Sequence, residues 1–153
     1  MDKFLLRRAK EEDSKRVWEI RNQPISRKYS NNSEKIPFEK HMLWFSKKYF
    51  SERCNYCFVL ENKEGVVIGY CRLDFNNDLG NYIISIALDA DFQGKGFGNY
   101  FLYEVLRKFS ESREIFAEIQ KNNIASIKLF KKNNFEIYKE DEENYYLKFS
   151  SNT

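Results

Sequence analysis

The chain has 153 residues, with 26 Lys and Arg against 23 Asp and Glu, a net charge of +3 with its one His neutral. That length is one ordinary domain, and so small a charge excess argues against a dedicated nucleic-acid binder. Hydrophobic residues make up 42% and aromatics 17%, too much for a disordered chain, while a mean hydropathy of −0.71 and the lack of any apolar run near about 18 residues argue against a membrane span.

The opening Met1-Asp2-Lys3-Phe4 meets charges before any leader-length apolar run, so the sequence reads as cytoplasmic. Residues 4–8 read as a first strand. Asp13-Ser14 offers a helix start, and Val17, Trp18 and Ile20 supply an apolar face as far as Arg21. Pro24 is expected to close that region, and a polar loop follows through Asn31-Asn32-Ser33. Pro37 suits a first helical position and opens a helix carrying His41 and Trp44-Phe45. Residues 56–61 and 66–75 form strands joined by Asn62-Lys63-Glu64-Gly65, a hairpin-type turn. Residues 82–88 are almost continuously apolar, which suits a central strand. Residues 96–109 place Phe101, Leu102, Val105, Leu106 and Phe109 at helical spacing. A strand over 115–120, a helix over 123–132 and a hairpin of 135–138 with 145–149 follow. The order β-α-α-β-β-β-α-β-α-β-β predicts an α/β (α+β) domain with a mixed sheet over residues 1–149, then a polar tail, 150–153.

Cys54, Cys57 and Cys71 are an odd count, which argues for free thiols. Cys54 and Cys57 have C-x-x-C spacing. Only Cys71 and His41 could complete a zinc site, and Cys57 falls inside a predicted strand. No metal is expected.

The most informative segment runs from Ile84 through Asp89 to Gln93-Gly94-Lys95-Gly96-Phe97-Gly98, a strand leading through glycines into a helix. Glycines let a ligand approach the backbone closely. The first amides of a helix lack internal partners and carry the positive end of its dipole. Together they make a phosphate site, with Lys95 beside it. The spacing fits neither G-x-G-x-x-G nor the G-K-[ST] ending of a triphosphate loop.

Gln93-x-x-Gly96-x-Gly98 instead resembles the pyrophosphate loop of the GNAT superfamily of N-acetyltransferases. The later segment is similar to that superfamily too, at Asn123, Ala125, Ser126, Leu129, Phe130, Lys132 and Phe135. Asn134 stands where Gly is usual, and Asn tolerates the left-handed backbone such a helix end demands. The resemblance covers nearly the whole chain. It implies a single GNAT-type domain that uses acetyl-CoA as cosubstrate, held in an opening between strands 82–88 and 115–120. Ile86, Ala87 and Leu88 would meet the pantetheine arm, and residues Gln93, Gly94, Lys95, Gly96, Phe97 and Gly98 the pyrophosphate. Asn123, Ser126, Phe130 and Lys132 would line the far wall. The Ile86 amide would stabilise the developing oxyanion, and Asn123 would assist. Many relatives carry an acidic Tyr at the position of Phe130 and a Glu early in the central strand. Neither is present here.

On the acceptor side, Arg21-Asn22 and Arg27, followed by His41 and Trp44-Phe45, are similar to acetyltransferases that modify amino sugars on nucleotide carriers in pathways to pseudaminic and legionaminic acids. This likeness implies an acceptor site at Arg21, Asn22, Arg27, Tyr29, His41, Trp44, Arg72 and Asp74. Arginine suits bidentate phosphate contact, Tyr29 or Trp44 could stack on a base, and Arg72 and Asp74 share a strand face. His41 is a candidate general base. The expected partner is a small-molecule amine, such as a nucleotide-linked amino sugar, with no nucleic acid and no membrane, and the chain a monomer or homodimer. Two alternatives stay open: an acetyltransferase of protein N-termini or ribosomal proteins, and a catalytically weak CoA-binding relic.

Overall fold

The computed structural model describes residues 4–30, 33–109 and 113–150. Seven strands form one sheet in the order β1-β2-β3-β4-β5-β7-β6. They are β1 (Leu5–Arg8), β2 (Tyr56–Glu61), β3 (Val67–Asn76), β4 (Asn81–Leu88), β5 (Ile115–Gln120), β6 (Phe135–Glu140) and β7 (Asn144–Phe149). Only the β4–β5 pair is parallel. The apolar 82–88 segment lies at the centre of the sheet, as its composition predicts.

Helices α1 (Ser14–Arg21), α2 (Pro24–Lys28), α3 (Phe38–Ser46), α4 (Phe97–Lys108) and α5 (Ile124–Lys132) complete the fold. Pro24 opens a short helix rather than closing the region, because its missing N–H costs nothing at a first helical position. α3 runs on into a wider turn, Lys47–Ser51, which carries Tyr49 inward.

Strand alternation divides the core. On one face α4 and α5 pack Phe101, Leu102, Val105, Ile127 and Phe130 against Leu73, Ile84, Ala117 and Leu147. On the other, α1 and α3 pack Val17, Ile20 and Phe45 against Cys57, Val59, Val67 and Tyr70. Cys57 and Cys71 are buried as small hydrophobes, and burial pushes the Cys57 thiol up to about 12. Cys54 is exposed, and the described residues hold no group of three or more metal-ligating side chains. At the end of α5, Asn134 takes φ 68°, the left-handed conformation expected where relatives carry Gly. Of the polar tail, Ser150 donates its N–H to the Asn134 carbonyl at 2.8 Å, and residues 151–153 lie outside the described residues.

Candidate active site

β4 and β5 pair only at Tyr82–Ile115 and Ile83–Phe116, then part. The Tyr82 N–H donates to Glu114 on the β5 side at 2.9 Å, and the Asp89 N–H donates to Ile68 of β3 at 2.8 Å. Backbone direction alternates along a strand. Beyond the last pair, the N–H groups of Ile86 and Leu88 therefore point into the opening, where no strand meets them. A cleft of about 820 Å³ fills the gap.

The glycine loop closes one end. Gly94 and Gly96 take φ +73° and +85°, and a Cβ on either would project into open space. That open cradle and the free β4 edge fit the pyrophosphate and pantetheine of acetyl-CoA. Gln93 spans the loop, donating to the Leu88 carbonyl at 3.1 Å. Asp89 anchors it, accepting from the Asp91 amide at 2.8 Å and Gln23 at 3.1 Å, and pairing with Arg16. Burial alone would raise the Asp89 carboxyl; the Asp91 amide, Arg16 and Gln23 outweigh it and hold it below the usual carboxylate range.

Ile86, Ala87, Leu88, Gln93, Gly94, Gly96 and Gly98 all line the cleft, as do Asn123, Ser126, Phe130 and Lys132. Asn123 caps α5, its side chain accepting from the Ser126 amide at 3.3 Å. Phe130 is buried edge-on to Phe135, ring centroids 4.9 Å apart. Two side chains turn away from the cleft. Lys95 donates to the Asp91 carbonyl at 3.1 Å, and Phe97 packs on Phe4 with centroids 4.9 Å apart.

On the acceptor side, Arg21, Arg27, Tyr29, Arg72 and Asp74 line the cleft; Asn22, His41 and Trp44 do not. Asn22 is a clasp, bonding both the N–H and the carbonyl of Ile36 at 2.9 Å. Arg27 braces the same loop through the Asn22 and Ser33 carbonyls at 3.1 and 3.3 Å. Asp74 accepts from Tyr49 at 2.7 Å and pairs with Arg72 at 3.4 Å and Lys48 at 3.5 Å. Burial alone would lower the Arg72 pKa; Tyr49, Asp74 and Tyr70 outweigh it and keep the guanidinium charged. Arg21 forms no ion pair with a described carboxylate, and its guanidinium lies 4.2 Å from the Trp44 ring centre, with Arg72 at 5.2 Å from the same ring.

The expectation of a general base at His41 is corrected. The residue is 0% exposed and behind the cleft wall. Burial, then the charges of Arg21 and Arg72, lower its pKa to about 4, the Ser14 backbone offsetting only part of this.

A carboxylate absent from the sequence reading stands at the cleft instead. Two residues on from the Ile83–Phe116 pair, Glu118 of β5 is level with Ser85 of β4, across the opening. Glu118 lines the cleft, is exposed, and has no ion pair among the described residues. The signal was in the alternation of Ile115–Gln120, whose Ala117 and Ile119 face the core and so turn Glu118 away from it.

A split parallel pair, a free strand edge and a glycine-capped helix define an acyl-CoA-dependent acyltransferase. The model of the acetyltransferase (GNAT) family matches residues 17–135, most of the chain, and the protein belongs to that family. It is an N-acetyltransferase with acetyl-CoA as cosubstrate. No curated protein matches the chain. Among solved structures it is similar to an N-acetyltransferase from Staphylococcus aureus Mu50, at 26% identity over 95% of this chain and 97% of that one, with a TM-score of 0.76. It shares its fold with a phosphinothricin acetyltransferase from Sinorhizobium meliloti in complex with acetyl-CoA (21% identity, 95% and 87% coverage, TM-score 0.80). A ribosomal-protein-alanine N-acetyltransferase from Brucella melitensis is alike at 21% identity, 94% and 98% coverage and TM-score 0.78. No described helix is long and apolar enough to cross a membrane.

Proposed function

We propose that this enzyme acetylates the primary amine of a sugar carried on a nucleotide diphosphate. The observation that carries the reading is the cationic acceptor wall. Arg21 and Arg72 share the Trp44 ring, and among the described residues Asp74 is the one carboxylate ion-paired with either of them. Arg21 is left as a half-buried cation facing the cleft, a setting that favours an anionic acceptor and disfavours a polyamine.

The site residues take roles in this scheme. The Ile86 N–H, pointing into the opening, stabilises negative charge developing on the acetyl oxygen. Glu118, across from Ser85, receives the acceptor ammonium and takes one proton from it. The amine lone pair then forms the C–N bond as the C–S bond breaks, and a second amine proton leaves with the sulfur as thiol. Phe130 has no proton to offer in that step. Gly94, Gly96 and Gly98 hold the pyrophosphate, with Asn123 and Ser126 at the far wall.

The test is thiol release from acetyl-CoA, with product mass, across aminosugar nucleotides, amino acids bearing a carboxylate, spermidine and an N-terminal peptide. Turnover confined to aminosugar nucleotides supports the reading. Preference for the peptide or spermidine overturns it, and no thiol release with any amine favours a CoA-binding relic.

A further inference from the structure

We infer that His41 is a positioning residue, a neutral buried imidazole that accepts a hydrogen bond from Arg21 and so aims an uncancelled guanidinium charge at the acceptor. This rests on the anionic acceptor proposed above.

One short helix builds the socket. His41 and Trp44 of α3 both touch Arg21 of α1. Nη1 of Arg21 lies 3.2 Å from Nδ1 of His41, and the guanidinium carbon lies 4.2 Å from the Trp44 ring centre. His41 is itself stacked on Phe45, centroids 5.6 Å apart at 18°. A guanidinium can only donate. Nδ1 must therefore present its lone pair, which leaves the ring proton on Nε2, a buried atom without a well-formed hydrogen bond of its own.

Two of the cleft arginines, Arg21 and Arg72, are held by opposite means. Arg72 is fixed by Asp74, a carboxylate that cancels its charge as it positions it. Arg21 is fixed by a neutral acceptor and an aromatic face, which position it and leave the charge intact. An acidic residue in place of His41 would hold Arg21 equally well and remove its attraction for an anion. The choice of an uncharged acceptor is thus what makes this part of the wall a net cation.

The test uses inorganic pyrophosphate and uridine diphosphate as probes, titrated calorimetrically into protein saturated with CoA, so that the glycine loop is already filled. Arg21→Ala should weaken both probes about tenfold, the loss of one charge-assisted contact. His41→Phe keeps the ring stack and removes the acceptor; it should weaken them several-fold in the wild-type background and add nothing to Arg21→Ala. His41→Gln, which restores an acceptor oxygen, should recover most of the affinity. In the wild type at neutral pH, the imidazole 15N spectrum should show Nδ1 as an unprotonated nitrogen. If Arg21→Ala leaves both probes unchanged, the anionic-acceptor reading falls and this inference with it. If Arg21→Ala weakens them and His41→Phe does not, the inference alone falls. A protonated Nδ1 overturns it whether or not His41→Phe folds.

Discussion

Arg16 reaches from α1 to Asp89, the residue where β4 gives way to the glycine loop, and on the way its Nε donates to the Val67 carbonyl at 2.8 Å. One side chain thus ties the acceptor-side helix, a central strand and the cofactor loop together. Asp89→Asn keeps an acceptor for the Asp91 amide and loses the charge pairing. It should cost about 1.5–3 kcal/mol of stability and raise the acetyl-CoA KM. The Asp89 carboxyl sits below its unfolded value, so its contribution is complete above about pH 4 and fades as pH falls through the folded value. Thermal unfolding at pH 7 and pH 3 should show a difference between wild type and variant at the higher pH that shrinks at the lower.

Glu118→Gln keeps the shape of the cleft lip and removes the carboxylate. A fall in kcat/KM of about 100-fold is expected, with acetyl-CoA affinity unchanged. A variant with wild-type kinetics would remove Glu118 from the reaction.

Gly96→Asp puts a side chain at φ +85° and a negative charge where pyrophosphate would lie. Acetyl-CoA should bind more than about tenfold more weakly by calorimetry. Unchanged affinity would mean that the loop does something else.

Phe130→Tyr adds a hydroxyl to a ring that already lines the cleft. Activity should persist and can rise, since the phenol offers the departing sulfur a proton. A large loss in kcat would show that the ring, packed on Phe135 at 4.9 Å, tolerates no polar atom at its tip.

His41 adds a pH dependence to folding. Its folded pKa of about 4 lies below the ordinary 6.5, so the unfolded chain takes up its proton first as pH falls. Stability should therefore decline between pH 6.5 and 4, by about 3 kcal/mol over the whole interval. The groups facing it are Arg21 from α1, Arg72 from β3 and the Ser14 backbone. Denaturant titrations across that range should show a flatter curve for His41→Phe.

The frame was legible because its signals are local. The Gly96 and Gly98 helix entry, Asn123 ahead of α5, Asn134 at its end and the apolar run of β4 each state their conformation in a few residues. The acceptor side was legible only by composition. Asn22 and Arg27 read as ligand contacts; Arg27 lines the cleft, and both also bond backbone groups, Asn22 at Ile36 and Arg27 at Asn22 and Ser33, pairings that no sequence spacing reveals. His41 read as an acceptor contact and candidate base because its burial depends on α1 closing over it. Glu118 escaped notice because its place across from Ser85 comes from the register between two strands separated by a helix, which short-range pattern does not encode.

The parting of β4 and β5 also bears on solubility. A strand edge with unpaired amides invites other chains to add to the sheet. Here that edge lies in the middle of the sheet, pinned shut at Tyr82 and Ile115 and flanked by α4 and α5 on one face. A flexible thioester arm can lie along the gap. The docking edge for the cofactor is thus kept inside the sheet, away from its outer edges β1 and β6.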